Sequence, residues 1–68
     1  MKTLYDVQEF LKKRGYINLF SDRKDAIYFM AQELKAQYDA GLIPDNKEYF
    51  TADLILRREY RLESEKKS

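Results

Sequence analysis

The 68-residue sequence contains neither cysteine nor histidine. The lack of cysteine excludes disulfide bonds and thiolate metal sites, and the lack of histidine removes the commonest ligand of zinc, copper and iron. Catalysis by a cysteine–histidine or a serine–histidine pair is excluded for the same reason. We therefore expect no metal, no cofactor and no enzymatic activity, and nothing in the sequence indicates a small-molecule substrate.

Glycine and proline are also scarce, with two glycines and one proline in the chain. Because Gly15 and Gly41 each stand alone, the sequence has no glycine-rich phosphate loop, and the D-x-D-x-D-G pattern of a calcium loop is absent. No apolar run approaches the roughly 20 residues that a membrane span needs, and the N-terminus lacks the apolar core of a signal peptide. We expect a cytoplasmic protein that does not associate with membranes.

The longest amphipathic stretch runs from Asp22 to Ala40 and predicts a central helix. Its apolar residues recur at the spacing of one helical face: Ile27, Met30, Ala31, Leu34 and Tyr38. Asp22 is a favourable N-cap, and Gly41 suits the left-handed position that follows a last turn. Phe29 points to the far side with Ala26, Ala36 and Ala40, so the preceding loop or a partner has to cover it.

A helix is predicted on each side of the central one. The first spans Thr3 to Arg14, with Thr3 as its N-cap, and places Leu4, Val7 and Leu11 on one face. The third starts after Asp45, a second candidate N-cap, and ends near Leu62. Its inward face consists of Tyr49, Ala52, Ile55, Leu56 and Tyr60, whereas Phe50 and Leu54 point away from it.

The two connections differ in apolar content. We expect the stretch from Gly15 to Ser21, which contains Tyr16, Ile17, Leu19 and Phe20, to fold its apolar side chains over one end of the core. The stretch from Gly41 to Asp45 is short, and short connections favour antiparallel neighbours. The sequence thus predicts an all-α, three-helix, up-down-up bundle over residues 1–62, followed by a flexible C-terminal tail over residues 63–68.

An up-down-up bundle brings the end of its first helix, the start of its second and the end of its third to one pole. Cations next to aromatic faces are what non-specific binding of single-stranded nucleic acid requires. Eight basic residues and two aromatic residues are expected at this pole. The candidate nucleic-acid-binding residues are therefore Lys12, Lys13, Arg14, Tyr16, Phe20, Arg23, Lys24, Arg57, Arg58 and Arg61.

Other interpretations stay open, both for the basic residues of the pole and for apolar residues elsewhere on the surface. Basic residues at helix C-termini complement the helix dipole, so the charges at the pole are also consistent with an ordinary surface or with binding of an anionic protein. Phe29, Phe50 and Leu54 lie off the core faces. Because a small core leaves few large apolar groups unused, these three residues indicate a surface that binds another protein or a second copy of the chain.

Four segments share their order and spacing with a known family. They are Leu4-Tyr5-Asp6-Val7-Gln8, the helix end that runs into Gly15, Asp22-Arg23, and Leu54-Ile55-Leu56-Arg57-Arg58-Glu59. In these segments the chain resembles the YqgQ-like family of small bacterial proteins. The resemblance implies a three-helix bundle without assigned enzymatic activity. Single-stranded nucleic-acid binding has been suggested for that family, and the resemblance implies the same expectation here without pointing to particular residues.

Overall fold

A computed structural model describes residues 1–17 and 19–66 and contains three α-helices in that part of the chain. Helix α1 is Leu4–Lys12, α2 is Arg23–Asp39 and α3 is Asn46–Glu65. The predicted all-α three-helix bundle is confirmed. The end predicted for the third helix near Leu62 is too early, because α3 continues to Glu65. Residues 67 and 68 of the predicted tail lie outside the described residues.

The start of α1 is held by a reciprocal pair of hydrogen bonds. The backbone N–H of Asp6 donates to the Thr3 hydroxyl at 3.2 Å, and the Thr3 N–H donates to the Asp6 carboxylate at 3.1 Å. The Lys2 N–H donates to the same carboxylate at 2.9 Å. These backbone donors stabilise the ionised form, so the pKa of Asp6 is lower than that of an ordinary aspartate.

The predicted caps of the other two helices are confirmed. Asp22 accepts a hydrogen bond from the Lys24 N–H at 2.8 Å, and Asp45 accepts one from the Lys47 N–H at 2.8 Å. The connections that these aspartates close both begin with a glycine at positive φ, Gly15 in the first and Gly41 in the second. The extent predicted for the central helix is confirmed, whereas α1 ends at Lys12, two residues before the predicted Arg14.

The core contains one stripe from each helix and two residues from the connections. It consists of Val7, Phe10, Leu11, Tyr16, Ala26, Ile27, Met30, Leu34, Ile43, Ala52, Ile55 and Leu56. Two side chains differ from the prediction. Ala26, expected on the far side of α2, is buried, whereas Tyr60, expected on the inward face of α3, is partly exposed.

The direction of α1 corrects the predicted up-down-up order. At the start of α1, Arg58 of α3 donates a hydrogen bond of 3.5 Å to the Lys2 carbonyl. Just beyond its end, the Arg14 guanidinium donates a hydrogen bond of 3.1 Å to the carbonyl of Leu42, in the connection between α2 and α3. Helix α1 therefore runs antiparallel to α3 and in the same direction as α2.

The first connection makes this direction possible because it runs back along the outside of α2. Tyr16 and Phe20 line one groove together with Phe29 and Glu33 of α2. The ring of Phe20 stacks on that of Phe29 with their centroids 4.3 Å apart, so the loop supplies the cover for Phe29.

The expectation that the apolar side chains of the first connection cover the core is confirmed for one of them and wrong for two. Tyr16 is buried. Ile17 and Leu19 are 70% and 82% exposed, so these two side chains lie outside the core.

Candidate nucleic-acid interface

The predicted basic pole is divided between the two ends of the bundle. Because α1 runs antiparallel to α3, Lys12 and Lys13 lie at the end of the molecule opposite Arg23 and Lys24. Arg14, at the same end as the two lysines, donates to the Phe10 and Leu42 carbonyls and places its guanidinium 4.1 Å from the centroid of the Phe10 ring. The predicted convergence is wrong, and Arg14 has a structural role.

Two aromatic candidates are occupied by contacts within the chain. Tyr16 belongs to the buried core, and burial, followed by the nearby charge of Glu33, raises the pKa of its phenol. One face of Phe20 is covered by Phe29. Tyr16 therefore offers no face to a nucleobase, and Phe20 offers at most one.

Arg23 is neutralised by two carboxylates of α3. Its guanidinium lies 2.9 Å from the Glu59 carboxylate and 3.2 Å from the Glu63 carboxylate. The side chains of these two glutamates are only 18% and 16% exposed. Because partly buried ion pairs are little screened by solvent, this triad fastens the start of α2 to the end of α3 and leaves little charge for a phosphate.

The three arginines of α3 are in a different situation. Arg57, Arg58 and Arg61 lie 2.8, 3.8 and 3.7 Å from the carboxylates of Asp53, Glu59 and Glu65, respectively. Each has one carboxylate partner among the described residues where Arg23 has two, and the partners of Arg58 and Arg61 lie beyond hydrogen-bond distance. The arginine side chains are at least half exposed, and ion pairs of exposed side chains typically contribute only about 0–1 kcal/mol. These guanidinium groups can therefore exchange their present partner for another anion at small cost.

A groove of about 460 Å³ lies between α2 and α3 on the side where these helices carry exposed tyrosines. Tyr28 of α2 and Tyr60 of α3 line it and are 50% and 38% exposed. Arg57 also lines the groove, and the Lys24 ammonium lies 5.2 Å from the centroid of the Tyr60 ring. We call Lys24, Tyr28, Arg57 and Tyr60 the tyrosine groove.

The sequence prediction missed half of the tyrosine groove. Lys24 and Arg57 were candidates, but Tyr28 was not, and Tyr60 was expected on the inward face of the third helix, near the same pole. The sequence did contain a signal for it. Lys24 and Tyr28 are four residues apart on α2, Arg57 and Tyr60 are three residues apart on α3, and residues at such spacings share one face of a helix. Recognising it requires knowing that these two faces meet.

The residues predicted to bind a protein partner lie on the surface. Phe50 and Leu54 are exposed side by side on α3, and Phe29 is partly exposed behind Phe20. Within residues 1–17 and 19–66, no cluster of three or more acidic side chains is arranged to hold a metal ion. In the same residues, no helix combines the length and the apolar character needed to cross a membrane.

Comparison with known proteins identifies the family. The model of the YqgQ-like family matches residues 1–62. A curated relative, described as an uncharacterised protein YqgQ of Bacillus subtilis (strain 168), is 42% identical over 59 residues, which cover 87% of this chain and 82% of the relative. No solved structure matches the chain at a significant level. The chain belongs to the YqgQ-like family.

Proposed function

We propose that this protein is a non-enzymatic, cytoplasmic module that binds single-stranded nucleic acid weakly, and that the strand lies in the tyrosine groove. The observation that carries the proposal is the pair of exposed tyrosine rings on facing helices, each with a cation beside it. Stacking of a nucleobase on an aromatic side chain contributes about 1–3 kcal/mol, and Lys24 and Arg57 are placed to neutralise the neighbouring phosphates.

The chemistry of the groove favours single strands over duplexes. A base has to leave its stack before a tyrosine ring can contact its face, and duplex bases are already stacked on each other. Two cations predict a small electrostatic contribution, with log K falling by about 1.4 per unit of log salt concentration. Asp53, whose carboxylate lies 2.8 Å from the Arg57 guanidinium, further weakens the attraction for phosphate.

The test is a titration of fluorescently labelled oligothymidine against the protein at low salt, with a duplex of equal length beside it. Tyr28→Ala and Tyr60→Ala are each expected to lower the affinity for the single strand by about 5- to 150-fold, the equivalent of one lost stacking contact. Circular dichroism confirms that the variants fold, which is expected because both side chains are largely outside the core.

Two lysines at opposite ends of the bundle provide a matched control for charge. Lys24→Glu and Lys13→Glu change the net charge equally, but only Lys24 belongs to the tyrosine groove. We expect Lys24→Glu to weaken binding and Lys13→Glu to leave it within about twofold of the parent. Equal affinity for single strand and duplex, or equal losses in the two lysine variants, would contradict the proposal.

A further inference from the structure

We propose that the outer face of α3 is a second binding surface, which takes an acidic amphipathic segment of a partner protein. We define this face by Lys47, Phe50, Leu54, Arg58 and Arg61. It adjoins the tyrosine groove at Arg57, but none of its five residues belongs to that groove, so the inference does not depend on the proposed nucleic-acid binding. Its apolar centre would receive the apolar side chains of the partner, and its three cations would receive the carboxylates.

These five residues form one continuous stripe. They follow each other at intervals of three or four residues, which keeps them on one side of a helix. Phe50 and Leu54 are 56% and 67% exposed at its centre, and the cations flank them. Helix α3 buries Ala52 and Leu56 on its opposite side, so Phe50 and Leu54 lie outside the core. Arg58, towards one end of the face, also donates to the Lys2 carbonyl.

The C-terminal half of the stripe borders a depression. A hollow of about 510 Å³ is lined there by Leu54, Arg58 and Arg61, and also by Ile55 and Arg57. An apolar side chain placed there would cover Leu54, while carboxylates one turn away on the same segment would reach the guanidinium groups. An amphipathic helix supplies such side chains, because the apolar residues that it inserts into a groove recur at positions i, i+3 and i+4.

The ion pairs that these arginines make within the chain are poor competitors. Arg58 and Arg61 lie 3.8 and 3.7 Å from their carboxylates, which is too far for a hydrogen bond. A partner carboxylate that accepts two parallel guanidinium hydrogen bonds at about 2.8 Å forms a stronger contact. Charge complementarity therefore favours an acidic partner.

Two other occupants fit the outer face less well. In a symmetric dimer the face meets itself, so the cations Lys47, Arg58 and Arg61 of one copy would be brought against cations of the other copy and repel them. A nucleic-acid strand would satisfy the cations, but Leu54 offers no planar ring on which a base can stack. Covering Leu54 requires an apolar side chain, which an amphipathic protein segment supplies.

The test uses two synthetic 15-residue peptides of identical composition. In one, leucines recur at i and i+4 with glutamates on either side; in the other, the order is scrambled. Fluorescence anisotropy with the full chain at about 50 mM salt is expected to show at least tenfold tighter binding of the patterned peptide. Leu54→Asp and the double variant Arg58→Glu with Arg61→Glu should each lower that affinity at least tenfold.

Two control variants keep this proposal separate from the first. Leu42→Asp introduces the same change at an exposed leucine of the second connection, away from α3's outer face, and should leave the peptide affinity unchanged. Tyr28→Ala, which is expected to impair oligothymidine binding, should also leave peptide binding unchanged. Circular dichroism verifies the fold of each variant.

Four results would overturn the inference. Equal affinity for the patterned and scrambled peptides would show attraction by charge alone, and the absence of saturable binding at millimolar peptide would show no site. Displacement of the peptide by oligothymidine from the parent and from Tyr28→Ala alike would assign the face to nucleic acid. A dimer in light scattering that Phe50→Asp converts to a monomer would assign it to a second copy of the chain.

Discussion

The two connections of this bundle carry the same local signals and lead the chain in different directions. Each begins with a glycine at positive φ and ends with an aspartate that caps the next helix. The second connection joins antiparallel helices, as the rule for short loops predicts. The first joins helices that run in the same direction. Capping signals therefore locate the ends of helices but carry no information about helix direction.

Length explains the difference between the connections. Tyr16 packs near Glu33, which is about 16 Å along α2 from Asp22 at a rise of 1.5 Å per residue. Six residue steps from Tyr16 to Asp22 span at most about 21 Å. The first connection can therefore return the chain to the other end of α2, whereas the second is too short to do so.

The largest expected effect comes from shortening the first connection. Deleting Ile17 and Leu19 leaves four steps, which span at most about 14 Å, so α1 cannot remain docked. Both side chains are exposed, so the deletion shortens the connection without removing a side chain from the core. We expect loss of the cooperative thermal transition in circular dichroism.

Lengthening the same connection is the control for that deletion. Two glycines inserted after Leu19 should cost less than about 1 kcal/mol, because loop-closure entropy grows slowly with length. A deletion variant that melts like the parent would show that the span argument is wrong.

The next effect separates two neighbouring residues of the second connection. Ile43 is buried and Leu42 is exposed. We expect Ile43→Ala to lower the free energy of unfolding in urea by about 2–5 kcal/mol, the usual cost of emptying a core position. Leu42→Ala should change it by less than about 0.5 kcal/mol. Similar losses in the two variants would contradict the burial of this connection in the core.

The two glycines allow a direct comparison of backbone strain. An added Cβ would meet no atom within 4 Å at either Gly15 or Gly41, so only the backbone conformation opposes alanine. Each alanine variant should lose about 1–2 kcal/mol of stability in urea unfolding. Gly15→Ala should lose more stability than Gly41→Ala, because the φ of 101° at Gly15 lies further from the left-handed helical region than the φ of 78° at Gly41. Gly41→Asn, with a residue that tolerates this region, should lose less than Gly41→Ala.

The smallest expected effect is a gain in stability when Tyr16 is replaced by phenylalanine. Its hydroxyl is buried with no hydrogen-bond partner among the described residues, so Tyr16→Phe should raise the free energy of unfolding by about 1 kcal/mol. The stability difference between Tyr16→Phe and the parent should grow as the pH rises. Since the folded-state pKa is raised above the ordinary 10.0, this group's contribution to stability is complete below about pH 10 and is lost as the pH rises through the folded-state pKa.

Urea unfolding of the parent and Tyr16→Phe at about pH 7 and about pH 10.5 measures this difference. The other ionisable side chains are the same in both proteins, so their contributions cancel in the comparison. An unchanged difference between the two pH values would show that the phenol of Tyr16 is not buried as described.

The sequence predicts the helices well and their assembly only partly. Thr3, Asp22 and Asp45 act on backbone groups two or three residues away, so their roles can be inferred without knowing the fold. The direction of α1 depends instead on contacts such as that between Lys2 and Arg58, whose separation of 56 residues leaves no pattern in a single sequence.

The predicted convergence of the basic residues was wrong for the same reason. Placing Lys12 and Lys13 beside Arg23 required the wrong direction of α1. Arg23 was counted among the cations for phosphate, but it pairs with Glu59 and Glu63, which are remote in the chain. Lys24 and Arg57 were also predicted as cations of the pole, and both lie at the tyrosine groove on which the proposed function rests.

The return path of the first connection has a consequence for how α1 is held. Helix α1 has nine residues, and the connection that joins it to α2 is only slightly longer than the distance that it has to span. In thermodynamic terms it behaves as a ligand tied to its own receptor, and the tether sets its effective concentration at the docking site. Evolution or engineering can therefore tune how firmly this helix stays bound without altering a single contact in the core.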